Sequence, residues 1–340
     1  PRFACEFYAD ILTRESKYAE ALHYLEREVA AFPQSDYAKA SVLRMLLALE
    51  KTEQLAIQFD KPDYRQGLNN REFTEITQFL GKWTTLISWH GIRIVRNTSM
   101  PWVVVTAFSA LIWLIIITNL GRLGESFRLR GALYLLGFIS GFFSTLAVLG
   151  ILVWQEQVLG FNFNGDFGND LLYCICGIGL REECVKMLAV IPFLPLLLKR
   201  KSSMEALATA ACVGLGFAAA ENLIYINPGT EGGVFPRFLT ANFFHASLTG
   251  IAGLALFHFV RWPRTRWDEF LTAFVLVIVV HGLYDATAGL VPKISEQLGI
   301  FTIIIFALVA NRYINLAKEV REGGAASVSP MGGFVIGAAL

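Results

Sequence analysis

Apolar and polar positions divide this chain into two unequal regions. Residues 1 to about 97 mix acidic and basic residues with apolar positions at helical spacing, whereas from Pro101 long apolar runs alternate with short polar loops. A bilayer core takes about 20 helical residues. Runs of that kind are Trp102–Leu120, Ala132–Trp154, Leu171–Leu198, Met204–Ile226, Phe238–Val260, Asp268–Leu290 and Leu298–Leu316. The third is long enough to tilt, or to break at Pro192 and Pro195. The expected fold is all-α: a soluble helical domain over residues 1–97, a polytopic membrane helix bundle of about seven spans over 98–316, and a flexible tail over 317–340.

Within the first region, Tyr18-Ala19-Glu20-Ala21, continuing through Leu25 to Pro33, resembles the second helix of a tetratricopeptide repeat. The following stretch, Tyr37 to Leu55, reads as a helix without a second match, and repeat arrays need about three units to bury a core. A small helical adaptor for a protein partner or a plain amphipathic hairpin both fit. His23 and His90 read as solvated.

Composition agrees with the membrane reading. Apolar residues make up 54% of the 340 and the mean hydropathy is +0.50, against about 45–50% apolar in soluble domains. A net charge of +1, with no basic stripe interleaved with aromatics, gives no ground for nucleic-acid binding. Cys174, Cys176, Cys184 and Cys212 lie in apolar segments without C-x-x-C spacing, so no disulfide framework is expected.

Lys and Arg in the loops set the orientation. Arg122, Arg128 and Arg130 follow the first run, Lys199, Arg200 and Lys201 the third, Arg261, Arg264 and Arg266 the fifth, and Arg312, Lys318 and Arg321 lie at the end of the chain. The intervening loops hold no basic residue in 155–170, only Arg237 in 227–237, and only Lys293 in the last. This alternation places the basic loops and the C-terminus in the cytoplasm. The N-terminal domain then falls outside by parity, against the pull of Arg93 and Arg96.

Charge inside the apolar runs points to chemistry. The third run holds Arg181, Glu182, Glu183 and Lys186, and ionisable residues at such depth are functional or tightly paired. Lys186 is four residues from Glu182 and three from Glu183, so it can neutralise one carboxylate and leave the other. Glu221 and Asn222 lie in the fourth run, His245 in the fifth, and His281 with Asp285 in the sixth. At 1.5 Å per residue, Glu182 lies roughly 16 Å from the outer end of its run, His281 roughly 13 Å, His245 roughly 10 Å, Glu221 roughly 8 Å and Asp285 roughly 7 Å. These depths share the outer half of the bilayer although the helices run in opposite directions, which points to one site. Together the residues are the ligand types of a divalent-metal hydrolase. Singly each has a plainer reading: Asn222 as interhelical glue, His258 as a satisfied core histidine, and His281 with Asp285 as a carboxylate-oriented imidazole without metal.

The order E-E-x-x-K, F-x-x-x-E-N, H-A-x-x-T-G and H-x-x-x-D, each on its own run between about residues 130 and 315, resembles the PrsW family of intramembrane proteases. That family is similar in turn to the type II CAAX prenyl proteases. The resemblance implies that Glu182 and Glu183 are the paired acids, that Glu221 stands where the CAAX proteases have their first histidine, that His245 matches the PrsW pattern, and that His281 and Asp285 are the last pair. Lys186 replaces an arginine. It further implies a multi-pass protein of the bacterial inner membrane and a membrane-anchored substrate of the anti-sigma-factor kind. The expected roles are Glu182 as base supported by Glu183 and Lys186, Glu221, His245 and His281 as ligands of a divalent metal, with zinc favoured, and Asp285 as a further ligand or as the orienter of His281. Activation of water by glutamate without metal stays open. So do two other classes, a proton- or ion-coupled transporter and a non-catalytic scaffold. A carrier favours internal repeats, and none relates the two halves of the chain.

Overall fold

A computed structural model describes residues 3–86, 88–89, 100–121, 127–225 and 234–322. The expectations for His90, Arg93, Arg96, Arg122, the side chain of Arg237 and the tail beyond Glu322 lie outside these residues. The chain forms two compact units, Pro1–Arg93 and Ile94–Leu340.

The first unit is a set of short helices: α1 (Ala4–Arg14), α2 (Tyr18–Ala31), α3 (Asp36–Ala48), α4 (Thr52–Phe59), α5 (Pro62–Arg65) and α6 (Asn70–Phe79). Its centre is α3, whose residues from Ala38 to Leu43 are all buried and which packs against α2, α4, α5 and α6. Side chains close the helix ends. Ser35 accepts from the Ala38 N–H at 3.2 Å, and Asn69 and Glu72 form a reciprocal capping box. The single helix expected from Tyr37 to Leu55 is two helices. Glu50 adopts a left-handed φ of 52°, and Lys51 N–H bonds back to the Leu46 carbonyl, which ends α3 before α4 starts. His23 is exposed.

All the regular structure among the described residues of the second unit is helical, with an irregular stretch over 158–166. It comprises α7 (Met100–Leu120), α8 (Phe127–Gln157), α9 (Phe167–Leu172), a π turn (Tyr173–Gly179), α10 (Leu180–Val190), a 3₁₀ turn (Ile191–Phe193), α11 (Leu194–Arg200), α12 (Ser203–Tyr225), α13 (Val234–Arg261), α14 (Pro263–Asp285), a second π turn (Ala286–Leu290), α15 (Pro292–Leu298) and α16 (Ile300–Glu322). Among the described residues six helices are long and apolar enough to cross a membrane: α7, α8, α12, α13, α14 and α16. The third expected span, Leu171–Leu198, is instead a segmented rod from α9 to α11. Pro192 and Pro195 cannot donate to the helix ladder and fall at its 3₁₀ break, and the π turn widens the coil just before the charged stretch.

In this bundle α12 and α13 form the centre, with 89% of each apolar stretch buried against 22% for α7 and α8. Close approach of α8 and α12 depends on glycine, since a Cβ on Gly141 would strike the Val213 carbonyl and one on Gly216 the Phe138 carbonyl. The basic segments gather at one end. Glu205 takes hydrogen bonds from Arg130 (3.0 Å) and Arg200, Arg261 donates to the Lys201 carbonyl (3.2 Å), and buried His258 meets Ser203 at 3.1 Å. At the other end Lys293 reaches the Gly165 carbonyl at 3.2 Å. The segmented rod therefore runs from one end of the bundle to the other.

Candidate functional site

Four helices bring every polar residue singled out in the apolar runs, Arg181 and His258 apart, into or beside one cluster. α10 contributes Glu182, Glu183 and Lys186, α12 Glu221 and Asn222, α13 His245, and α14 His281 and Asp285, and all are buried. The first turn of α10 carries Glu182 and Glu183 on adjacent faces, about 100° apart on a 3.6-residue helix, so one can face α12 while the other faces α14. Glycine lets these helices meet. A Cβ on Gly179 would lie 2.6 Å from the Ile278 carbonyl oxygen, and one on Gly282 would collide with the backbone of Cys174 and Ile175.

Lys186 is the hub. Its Nζ lies 2.8 Å from Glu183 Oε1, 3.4 Å from Glu182 Oε2 and 2.8 Å from His245 Nδ1, and 4.2 Å above the centroid of the Phe217 ring. An ammonium has three N–H bonds, and those three contacts account for all of them. It is thus committed to holding the cluster and has no donor left over for another group.

Each histidine is fixed through one nitrogen by a charged neighbour. His281 Nδ1 lies 2.7 Å from Glu183 Oε1, so it donates there and its lone pair is on Nε2. That Nε2 is buried with no hydrogen-bond partner among the described residues, although Asp285 Oδ2 is 3.4 Å away and Glu182 Oε2 3.6 Å away. For His245, the lysine donates into Nδ1, which leaves the proton on Nε2, 2.9 Å from Glu221 Oε2. The two rings lie edge to face with centroids 4.9 Å apart, and Phe244, itself stacked on Tyr284 at 3.9 Å, stands edge-on to both.

The donor set fits a divalent cation. One atom each from Glu182, His245 and His281 lie within 4.8 Å of one another. Ligands 2.0–2.2 Å from a zinc ion sit roughly 3.3–3.6 Å apart at tetrahedral corners, so a small inward shift suffices. His281 is the better prepared ligand, with a bare Nε2 backed by a carboxylate on Nδ1. His245 has both nitrogens engaged and must release one contact to face an ion. Glu221, expected from the sequence among the ligands, approaches through His245 rather than within the three-donor group.

The residues of similar depth in the apolar runs thus lie together in one buried cluster. Asn222 lies beside it as interhelical glue: its amide donates to Asn242 at 3.0 Å, and Asn242 donates to Ser109 at 2.8 Å, tying α12 to α13 and α7. Phe217, Phe244, Tyr284, Gly179 and Gly282 escaped the sequence reading as parts of the site. Phe217 opens the F-x-x-x-E-N motif, the one signal that could have marked it, whereas the others look like ordinary apolar or small residues of membrane helices.

A family model describing PrsW family intramembrane metalloproteases matches residues 130–311, more than half of the chain. The chain belongs to the PrsW family. It is a multi-pass membrane peptide hydrolase, and membership implies a divalent metal, a bilayer and a membrane-embedded protein substrate. Comparison with curated proteins and with solved structures gave no match. The matched stretch contains α10, α12, α13 and α14, and so the whole cluster.

Proposed function

We propose that the cluster is the proteolytic centre of this PrsW family member and that it works on a single-span, membrane-anchored regulatory protein of the anti-sigma-factor kind. The observation that carries the reading is the buried group of Glu182, His245 and His281 around one point, with a bare imidazole nitrogen at His281. Glu182, His245 and His281 would hold the ion, with zinc the metal whose common ligand set they match. When bound, that ion polarises the scissile carbonyl and lowers the pKa of water.

The chain's own groups supply the rest. Glu183 fixes His281 and neutralises Lys186, and Lys186 holds Glu182 and His245 in place, so both are positioning residues. This moves Glu182 from base to ligand and leaves Glu221 as the base. Its carboxylate takes the proton of the attacking water and returns it to the departing amine. Asp285 stands at His281 as a further ligand or orienter. Burial in four helices excludes bulk water and strengthens each of these interactions.

The basic segments at one end of the bundle support a cytoplasmic location for that end and for the C-terminus, in a bacterial inner membrane, with seven crossings once the segmented rod is included. The site then opens nearer the outer face. The first unit would serve as an adaptor for a protein partner, a reading that rests on the likeness at Tyr18–Pro33.

The test is reconstitution of the full chain in vesicles with a labelled single-span peptide. Cleavage in the outer half of the peptide, lost in Glu221→Gln and His281→Ala, is the expected result. Solute flux without cleavage would assign the cluster to a carrier instead.

A further inference from the structure

Next to Glu182, on the neighbouring face of α10, Arg181 is buried, with 8% exposure. Among the described residues no carboxylate lies within ion-pairing distance of it. Its Nη1 donates to the side-chain oxygen of Gln155 at 3.0 Å, and its Nε is buried without a partner. Gln155, 6% exposed and two residues from the end of α8, spends its amide oxygen on that bond, and its amide nitrogen is also buried without a partner. Glu156 does not serve, because it accepts from the Tyr173 hydroxyl at 2.6 Å. The amide has its room because residue 177 is glycine: a Cβ there would lie 2.6 Å from Gln155 Nε2.

Beside the Tyr173 hydroxyl, which is itself bound to Glu156, two side chains on adjoining helices, one of them charged, thus each keep a buried N–H without an acceptor: Arg181 Nε and Gln155 Nε2. An uncompensated buried cation and unmet N–H groups are both costly. A neutral carbonyl would satisfy the N–H groups and leave the charge, whereas a carboxylate answers both with charge-assisted bonds. The reach of Arg181 to Gln155, near the end of α8, places these two groups between Glu182 and the Gly165 end of the bundle.

We infer that Arg181 and Gln155 form a specificity subsite that receives the carboxylate of an Asp or Glu side chain of the substrate, a short distance from the bond that is cut. This rests on the proteolytic reading above and names the substrate feature that the site selects. Arg181 is then a specificity-determining residue, and the tyrosine and glycine of the first π turn shape its pocket.

The full chain, zinc-loaded in vesicles, is given a pool of single-span peptides with a randomised five-residue window in the outer half of the span, and the products are sequenced. Wild type should enrich Asp or Glu at one fixed position relative to the cut by roughly ten- to a hundredfold, the equivalent of one charge-assisted bond. Arg181→Gln should still cut, with that enrichment gone. Arg181→Lys should keep most of it, and Gln155→Leu should reduce it severalfold, which serves if Arg181→Gln folds poorly. Cutting by wild type with no acidic position enriched, or the same profile in Gln155→Leu and the Arg181 variants, overturns the inference and leaves the proteolytic reading intact. The inference also falls if the Arg181 variants change only the response to anionic lipid, which would assign the pocket to a headgroup phosphate. If wild type cuts no peptide at all, the proteolytic reading falls and takes this one with it.

Discussion

Glu183 Oε1 lies 2.7 Å from His281 Nδ1, a contact that joins α10 to α14 and decides which imidazole nitrogen is free for chemistry. Carboxylates in this position raise the basicity of a ligating histidine and fix its ring, and losing one typically costs 10–100-fold in metal affinity. Glu183→Gln should therefore fold but hold zinc about 10–100-fold more weakly, as measured by competition with a coloured chelator. Unchanged affinity would mean that His281 is not a ligand.

Lys186 offers a second test. With Glu182, Glu183 and Glu221 gathered around it and its own side chain fully buried, removal of the ammonium leaves carboxylates without their counter-charge. Lys186→Met should cost about 3–5 kcal/mol of stability, the usual penalty for breaking a buried pair from one side. A denaturation curve in mild detergent measures it, and a midpoint equal to wild type would count against the hub.

Metal removal separates the two ways of activating water. Stripping with phenanthroline should abolish peptide cleavage and added zinc should restore it, with metal content tracked by elemental analysis. A stripped preparation that keeps full turnover would assign water activation to a glutamate acting alone.

Helix approach at the site is a steric matter. A Cβ on Gly282 meets the backbone of Ile175 and Cys174, which cannot swing aside as a flexible side chain can. Gly282→Ala should thus force α14 off the first π turn, lower stability by about 1–3 kcal/mol and displace His281 from Glu183. Reduced melting temperature together with reduced zinc retention is the expected result, and a neutral alanine would show that the two helices adjust freely.

Outside the membrane region, Glu72 gives a pH-dependent prediction. Partial burial pushes its carboxyl up, but hydrogen bonds from Arg44 and from the Asn69 N–H push it down further, so it stays below the ordinary carboxylate range. A depressed folded-state pKa adds stability that is present above the unfolded pKa and lost as pH falls through the folded one. Glu72→Gln should therefore destabilise the first unit slightly at neutral pH, by no more than about 1 kcal/mol for so exposed a pair. The difference from wild type should close as the pH is taken below the carboxylate range in unfolding scans. A difference that stays constant to low pH would assign it to packing.

Much of the site was legible in the sequence because charge is so rare in the apolar runs. Glu182, Glu183, Lys186, Glu221, His245, His281 and Asp285 each stand out against their neighbours, and counting residues to the end of each run puts Glu182, Glu221, His245, His281 and Asp285 in the same half of the bilayer. What the sequence could not show was how donors are shared. Whether Glu182 or Glu221 joins the two histidines depends on side-chain approach across three helices, which no spacing encodes. The break in the third run was flagged by Pro192 and Pro195, but the π turn ahead of it carries no comparable residue signal, and Gly177 and Gly179 acquire meaning only through the neighbours they admit. In the first unit, periodicity ran on through Glu50, because a left-handed turn at a glutamate is invisible to an apolar count.

The concentric arrangement of the second unit bears on how the chain is made. The core pair, α12 and α13, carries Glu221, Asn222 and His245 and has less apolar stretches than α7 and α8, which form much of the surface. In order of synthesis the oily α7 and α8 emerge before α12 and α13, and α16, only 28% buried, comes last. The early helices can enter lipid unaided, whereas α12 and α13 gain from a prepared protein surface on which Asn222, Asn242 and Ser109 find one another. The order of the genetic message thus doubles as an assembly schedule, in which one wall of the chamber is standing before its contents arrive and another closes behind them.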